Sequence, residues 1–238
     1  MKPILSVAIP AHNEEQQIAR CIESIVVASR QTAQPVEIIV ALNRCTDGTR
    51  DIAESLGARC VVEDEKCIAA VRNAAVRAST APAVVTLDAD SWMAPNTISE
   101  VLSRVYDSRY VGGGCMVNLE RYSVGIAFSL LAIAPYLVRQ GVSIGMFWFL
   151  RESFDAIGGF DDTLVSVEDL DFAVRLKAYG KTRGQRYGTI WRNGITTSCR
   201  KCDQFGDWYI FRNPRLVKEL FSGRNRQAAD RFWYDTKR

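Results

Sequence analysis

Four times within the first ninety residues a short apolar run is followed by a segment of different period, and that alternation narrows the fold more than any other feature. Ile4 to Pro10, Val36 to Leu42, Cys60 to Val62 and the run ending at Asp88 read as strands. Between them lie a helix with Ile18, Cys21, Ile22, Ile25 and Val26 on one stripe, a turn Thr46-Asp47-Gly48-Thr49 opening a helix that Gly57 ends, and an alanine-rich helix from Ile68 to Ala78. Strand and helix in alternation imply right-handed crossovers and a mostly parallel sheet. Such sheets bind ligands beyond the carboxyl ends of their strands, where Asn13, Asn43 and Asp88 fall. At 238 residues and 47% hydrophobic, the chain is long and apolar enough to bury this core as one domain with an appended tail.

The fourth strand ends in Asp88-Ala89-Asp90. In extended backbone residues i and i+2 point the same way, so both carboxylates would face the space beyond the strand. Two hard oxygen ligands suit a divalent cation, which fills its remaining positions with water and phosphate oxygens. The alternative is that Asp90 caps a following helix. A second acidic block, Glu168-Asp169, precedes a helical pattern in which Leu170, Phe172, Ala173, Val174, Leu176 and Tyr179 bury one side and Gly180 is the stop. Acids at a helix start also have the plain reading of favourable placement in the helix dipole.

Neither G-x-G-x-x-G nor G-x-x-x-x-G-K-[ST] follows any strand, which argues against a dinucleotide oxidoreductase and a P-loop NTPase. Pro95 to Tyr106 reads as a helix with Ile98, Val101, Leu102 and Val105 inward, and Val111 to Leu119 as a glycine-rich strand. Residues 122–138 carry no charge. A span there would be at the lower limit of length, and it would put Asp88 and Glu168-Asp169 on opposite sides of a bilayer, so a buried or interfacial segment is the better reading. Met146-Phe147-Trp148-Phe149 reads as a core strand, with an apolar acceptor groove as its alternative.

The net charge of +3 is too small to imply a nucleic-acid partner. It is unevenly spread: residues 200–238 hold ten Lys or Arg against five Asp or Glu. That basic tail suits a solvated helix face or a peripheral contact with anionic lipid. Its aromatics, Trp208, Tyr209, Phe211, Phe232, Trp233 and Tyr234, would pack it onto the body or onto a membrane. Seven scattered cysteines without a ligand cluster, and no N-terminal signal pattern, point to the cytoplasm, at or near the inner membrane face if the tail binds lipid.

Six blocks in order carry a resemblance. Ile9-Pro10-Ala11-His12-Asn13-Glu14-Glu15, Cys45-Thr46-Asp47-Gly48-Thr49, Ala70-Val71-Arg72-Asn73, Asp88-Ala89-Asp90, Ile157-Gly158-Gly159-Phe160-Asp161 and Glu168-Asp169 resemble the family 2 glycosyltransferases of the GT-A fold. The resemblance spans residues 4–180. It implies an α/β, Rossmann-like domain over residues 1–203, with a nucleotide-sugar-binding half at 1–120, an acceptor and catalytic half at 121–203, and a helical basic tail at 204–238. It further implies an inverting transfer of a sugar from a UDP or GDP donor to an acceptor hydroxyl on a glycan or lipid-linked carrier, assisted by Mn2+ or Mg2+. By similarity, Pro10, Ala11, Glu14, Asn43, Arg72 and Asp88 would line the nucleotide pocket. Asp90, with Asp88, would hold the metal, and Asp169 would be the base, with Glu168 beside it.

The chain also departs from that pattern. Many relatives have Asp-Asp-Gly-Ser after the second strand, where this chain has Leu42-Asn43-Arg44-Cys45, so the base contact differs. The Gln-x-x-Arg-Trp stretch of processive polymerases is not reproduced by Gln185-Arg186-Tyr187, which favours transfer of a single sugar. Thr197-Ser198-Cys199-Arg200-Lys201 resembles a basic stretch of short relatives, from which Arg200 would reach the diphosphate unless it is solvated surface. Two competing readings are a sugar-phosphate nucleotidylyltransferase, which would want a Gly-rich basic loop where Ala11-His12-Asn13-Glu14 stands, and a non-catalytic sugar-nucleotide-binding protein.

Overall fold

A computed structural model of the chain describes residues 2–213 together with 215, 216, 219 and 223. Strand β1 (Leu5–Ala11) is buried along its whole length, with β2 (Val36–Leu42) and β4 (Ala83–Leu87) parallel to it on either side and β3 (Arg59–Val62) parallel to β2. The crossovers are α1 (Ile18–Arg30), α2 (Thr49–Ser55) and α3 (Ile68–Ala78). Gly57 follows α2 at a φ of 84°, the left-handed conformation that lets the chain leave the helix.

Beyond β4 the chain runs through β5 (Ser91–Met93), α4 (Thr97–Val105), β6 (Tyr110–Leu119), α5 (Val124–Gln140), β7 (Met146–Leu150), α6 (Arg151–Ala156), α7 (Glu168–Thr182), β8 (Arg186–Thr197), α8 (Arg200–Phe205) and α9 (Tyr209–Arg212). The eight strands form one sheet in the order β3-β2-β1-β4-β7-β6-β8-β5. The portion from β3 to β4 is parallel as expected. From β7 onward the sheet is mixed: β7 runs antiparallel to both β4 and β6, β8 parallel to β6, and β5 antiparallel to β8.

Alternate residues of β1 serve opposite faces, as the two-residue strand period requires. Leu5, Val7 and Ile9 pack with α1 and α4, whereas Ala8 belongs to the core under α3 and α7. The second core is aromatic: Phe160 stacks on Phe172 with centroids 4.1 Å apart, and Phe147, Phe149 and Phe154 surround the pair. Met146 to Phe149 is fully buried, so it is the core strand and not a groove wall.

Three expectations need correcting. Asp90 caps no helix, because the short strand β5 follows it. Nor do Asp88 to Asp90 continue the extended strand: Ser91 N donates to Asp88 O at 3.0 Å, closing a turn. Gly180 does not stop its helix, since α7 continues to Thr182; a Cβ on Gly180 would come within 2.6 Å of Val111, so the glycine permits close packing of helix on strand. The uncharged stretch forms α5, and no helix among the described residues is long and apolar enough to cross a membrane. Most of the expected tail, including Phe232, Trp233 and Tyr234, lies outside the described residues.

Candidate active site

The loops after β1 and β2 are laced together at the carboxyl edge of the sheet. Pro10 and Ala11 are buried at the end of β1. Asn13 takes the left-handed conformation (φ 52°), which asparagine tolerates better than most residues, and its Oδ1 accepts the Thr46 N–H at 2.8 Å. His12 donates Nδ1–H to Asn43 O at 2.6 Å, and Glu14 N–H donates to Thr49 Oγ1 at 2.8 Å. The Asn43 amide donates to Glu63 O (2.6 Å) and Glu65 O (2.8 Å), so both its donors hold the loop between β3 and α3. Its Oδ1 is buried without a hydrogen-bond partner, which leaves an acceptor for a ligand rather than a donor.

Two arginine-centred clusters follow. Arg72, 7% exposed on α3, places Nη2 2.8 Å from Asp88 Oδ1 and Nε 3.5 Å from Glu168 Oε1, and its guanidinium lies over the Phe160 ring at 5.7 Å. Burial opposes the Arg72 charge, but the carboxylates of Asp88, Glu168 and Asp169 outweigh it and hold its proton more firmly than usual. Arg200, at the start of α8, grips Glu14 with both arms, at 2.7 and 3.0 Å, and also reaches Asp90 Oδ2 at 3.0 Å. Ser198 Oγ lies 3.4 Å from the same oxygen. The turn at Asp88 thus sends its two carboxylates to different arginines.

The acidic pair at the start of α7 is held from both sides. Val167, immediately before it, has a φ of 57°, a strained conformation for a β-branched residue. Asn73 clasps the preceding loop with two reciprocal bonds to Phe160, each 2.8 Å. Gly159 sits beneath that clasp at a φ of 76°, where a Cβ would meet Asn73 Oδ1 at 2.7 Å. Phe172, three residues past Asp169, is fully buried in the aromatic core. Asp169 Oδ1 accepts the Leu170 N–H at 2.7 Å.

Burial, reinforced by the adjacent Asp169 charge and opposed by Arg72, pushes the Glu168 carboxyl up to about 7. Because that folded value exceeds the ordinary 4.5, Glu168 contributes stability fully below about pH 4.5, and the contribution is lost as pH rises through about 7. Glu168→Gln, neutral throughout, should flatten the stability profile across that window when denaturant midpoints are compared. Parallel profiles for wild type and variant would contradict the assignment.

Five carboxylates, Glu14, Asp88, Asp90, Glu168 and Asp169, therefore meet three basic side chains, Arg72, Arg200 and Lys201, whose charge acts on Asp88. Asp88 Oδ1 and Arg72 Nε are buried without hydrogen bonds, although both take part in ion pairs. No group of three or more metal-ligating side chains occurs among the described residues. By donor type two carboxylates suit Mn2+ or Mg2+, which commonly take one or two of them and complete their shell with water and substrate phosphate, although here Asp88 and Asp90 are turned to different arginines.

The structure brings together Arg72, Asp88 and the acidic pair singled out in the sequence, and adds what the sequence does not indicate: Arg200 binds Glu14 and Asp90, Ser198 lies beside Asp90, and Asn73 clasps Phe160. The signal for Asn73 is a polar side chain on the apolar face of an alanine-rich helix, in Ala70-Val71-Arg72-Asn73.

A mixed α/β sheet in this strand order, flanked by helices, is the architecture of the GT-A fold. The model of Glycosyl transferase family 2 matches residues 6–158, and the chain belongs to that family. It is 24% identical over 245 residues to a chondroitin synthase of Pasteurella multocida (strain Pm70), covering 96% of this chain and 25% of the synthase. It is likewise 24% identical over 273 residues to a validoxylamine A glucosyltransferase of Streptomyces hygroscopicus subsp. limoneus, covering 92% of this chain and 59% of that protein. The chain thus spans less than two thirds of either relative. Among solved structures, S. aureus TarS 1-349 superposes with a TM-score of 0.63 at 17% identity, over 98% of this chain and 69% of that one. The mannosyltransferase PcManGT from Pyrobaculum calidifontis, in complex with GDP-Man and Mn2+, gives 0.62 at 20% identity, over 94% and 63%. These superpositions show the fold.

Proposed function

We propose that the chain is an inverting, metal-assisted transferase that moves one sugar from a UDP or GDP donor to an acceptor hydroxyl, over a domain ending near residue 203. The observation that carries this reading is Arg72, which bridges the carboxylate at the end of β4 to the acidic pair at the start of α7. Two chemically distinct carboxylate groups thereby share one cleft.

In this reading Pro10, Ala11 and the Asn43 acceptor line the nucleotide side, with Glu14 reaching the ribose from its bond to Arg200. A divalent cation held by Asp88 and Asp90 would act as a Lewis acid on the leaving diphosphate. Asp169 takes the proton of the acceptor hydroxyl as that oxygen bonds to the anomeric carbon and the bond to phosphate breaks. Burial and the adjacent Asp169 charge push the Glu168 carboxyl up to about 7, which eases the cost of two neighbouring carboxylates there. Arg72, fixed between the two groups, holds positive charge close to the departing phosphate. Support for the donor class comes from the similar folds, which include S. aureus TarS in complex with UDP-GlcNAc and PcManGT in complex with GDP-Man and Mn2+.

Thermal shift with UDP, GDP and their sugars, with and without manganese, tests the donor reading. A nucleotide present at about 100 times its Kd should add about 2.7 kcal/mol to stability. Asp90→Ala should weaken manganese-dependent binding by about tenfold or more, since even a partner one bond further from the metal is typically worth about 10–100-fold. The fold should survive, because Arg200 keeps both bonds to Glu14. Unchanged manganese-dependent affinity would remove Asp90 from the metal site, and donor binding with neither transfer nor hydrolysis would identify a binding protein instead.

A further inference from the structure

Behind the wall formed by Arg200 and its neighbours is a second cavity, of about 140 Å³, open on one side. Leu119, Ile126, Leu130, Cys202, Phe205 and Tyr209 give it an almost wholly apolar lining. Its polar edges are already engaged: Ser129 Oγ donates to Asp207 O at 3.2 Å, and the Asp207 carboxylate binds Arg121 at 2.8 Å. A lining this apolar gives water few polar partners and favours an apolar group.

The cavity adjoins the candidate active site through a short run of contacts. Asp90 O accepts the Ser198 N–H at 3.0 Å, and Thr197, the preceding residue, pairs in register with Leu119 of the cavity wall. On the other side, Arg200 binds Asp90 while the next residue, Lys201, lines the cavity. At a rise of roughly 1.5 Å per residue, Phe205 stands only about 8 Å along α8 from Arg200. On its open side the cavity continues into apolar surface of α5, where Phe128 stacks on Trp208 and Leu131 is exposed. A narrow slot of this volume suits a flexible chain better than the broad face of a protein partner, which needs about 800 Å² per side.

The geometry points to an amphiphilic acceptor: its hydrocarbon chain occupies the groove between α5 and α8, and its hydroxyl-bearing head, guided past Lys201, reaches the carboxylates of the cleft. This assignment rests on the transferase reading and names the acceptor class for it. The apolar contacts supply affinity, while the head group alone meets the site weakly.

Binding of butyl, hexyl, octyl and decyl β-glucosides, each below its micelle concentration, tests the assignment by calorimetry. Each buried methylene is worth about 0.8 kcal/mol, close to fourfold, so affinity should climb with chain length and then level off once the chain outgrows the groove. Leu130→Asp, at a position already 45% exposed and therefore tolerated by the fold, should lower octyl glucoside affinity at least tenfold. Val138→Asp, on the exposed far end of α5, should leave it unchanged. Affinity that is independent of chain length, or that rises without levelling, overturns the groove, as does equal loss in the two variants, which marks adsorption to the helix surface. A monomer–dimer equilibrium abolished by Leu130→Asp also overturns it, because a second copy would then be the occupant. With manganese-dependent donor binding intact, any of these failures falls on the groove alone; absence of donor binding in the wild type removes the transferase reading and this inference with it.

Discussion

Asp169→Asn is expected to lower transfer by about 10²–10⁴-fold, the usual worth of a positioned general base, with donor affinity nearly unchanged. The substitution is nearly isosteric, and an Asn oxygen can still accept the Leu170 N–H that Asp169 Oδ1 accepts now. Phe172 continues to anchor the first turn of α7 in the aromatic core, so the helix start should not move. What disappears is the capacity to take a proton. The fall should therefore appear chiefly in kcat, and manganese-dependent affinity for the nucleotide should change far less, because the Asp169 charge is only one of several acting on Asp88. Glu168 is the nearest rival for the role, and removing the Asp169 charge also relieves part of what pushes its carboxyl up. The double variant with Glu168→Gln separates the two: if Asp169 is the base, adding the second change to the first costs little further activity. Full activity in Asp169→Asn would end the assignment.

The parts of this molecule legible in its sequence are those whose cause is local. The strands β1 and β4 announce themselves because each is buried on both faces and so reads as a nearly unbroken apolar run bounded by turns, whereas β2 and the edge strand β3 are only partly buried and show through a shorter apolar stretch. The acidic pair before α7 and the turn after β4 were visible because carboxylates next to buried hydrophobic segments are conspicuous. β8 was not visible: its twelve residues mix exposed and buried positions without clean alternation, and a register shift opposite β6, with Asn193 at a φ of 56°, breaks the two-residue period. β5 has three residues, too few for a periodic signal. The bond from Arg200 to Glu14 joins positions 186 residues apart, and nothing in either neighbourhood indicates the other. Gly180 misled because a glycine at a helix end usually stops it, whereas here it answers a steric demand from Val111 across the helix–strand contact.

Arg72→Met should destabilise the fold by about 3–5 kcal/mol, the range for removing one partner of a buried ion pair, and by more at about pH 8 than at about pH 5. Met keeps most of the apolar stem that Arg72 packs beside Phe160, so the loss isolates the charge. Two carboxylates are left without their counterion, and they differ in what they can do about it. Asp88 is 36% exposed and can turn toward water, but Glu168, at 9%, cannot. Its remaining escape is protonation. With the downward pull of Arg72 gone, the folded value of Glu168 rises further above about 7, while the unfolded value stays near 4.5. In mildly acid solution the folded protein already holds that proton and the deficit shrinks; at alkaline pH it must bury the charge or capture a scarce proton, and the deficit grows. Urea unfolding at the two pH values measures the difference, and Arg72→Met combined with Glu168→Gln should recover much of the alkaline loss. Equal deficits at both pH values, with no recovery in the double variant, would mean that Arg72 acts through packing alone. The same balance explains why a basic residue is buried at this point of α3: the carboxylates of the cleft can stand so close together only because Arg72 lies between them.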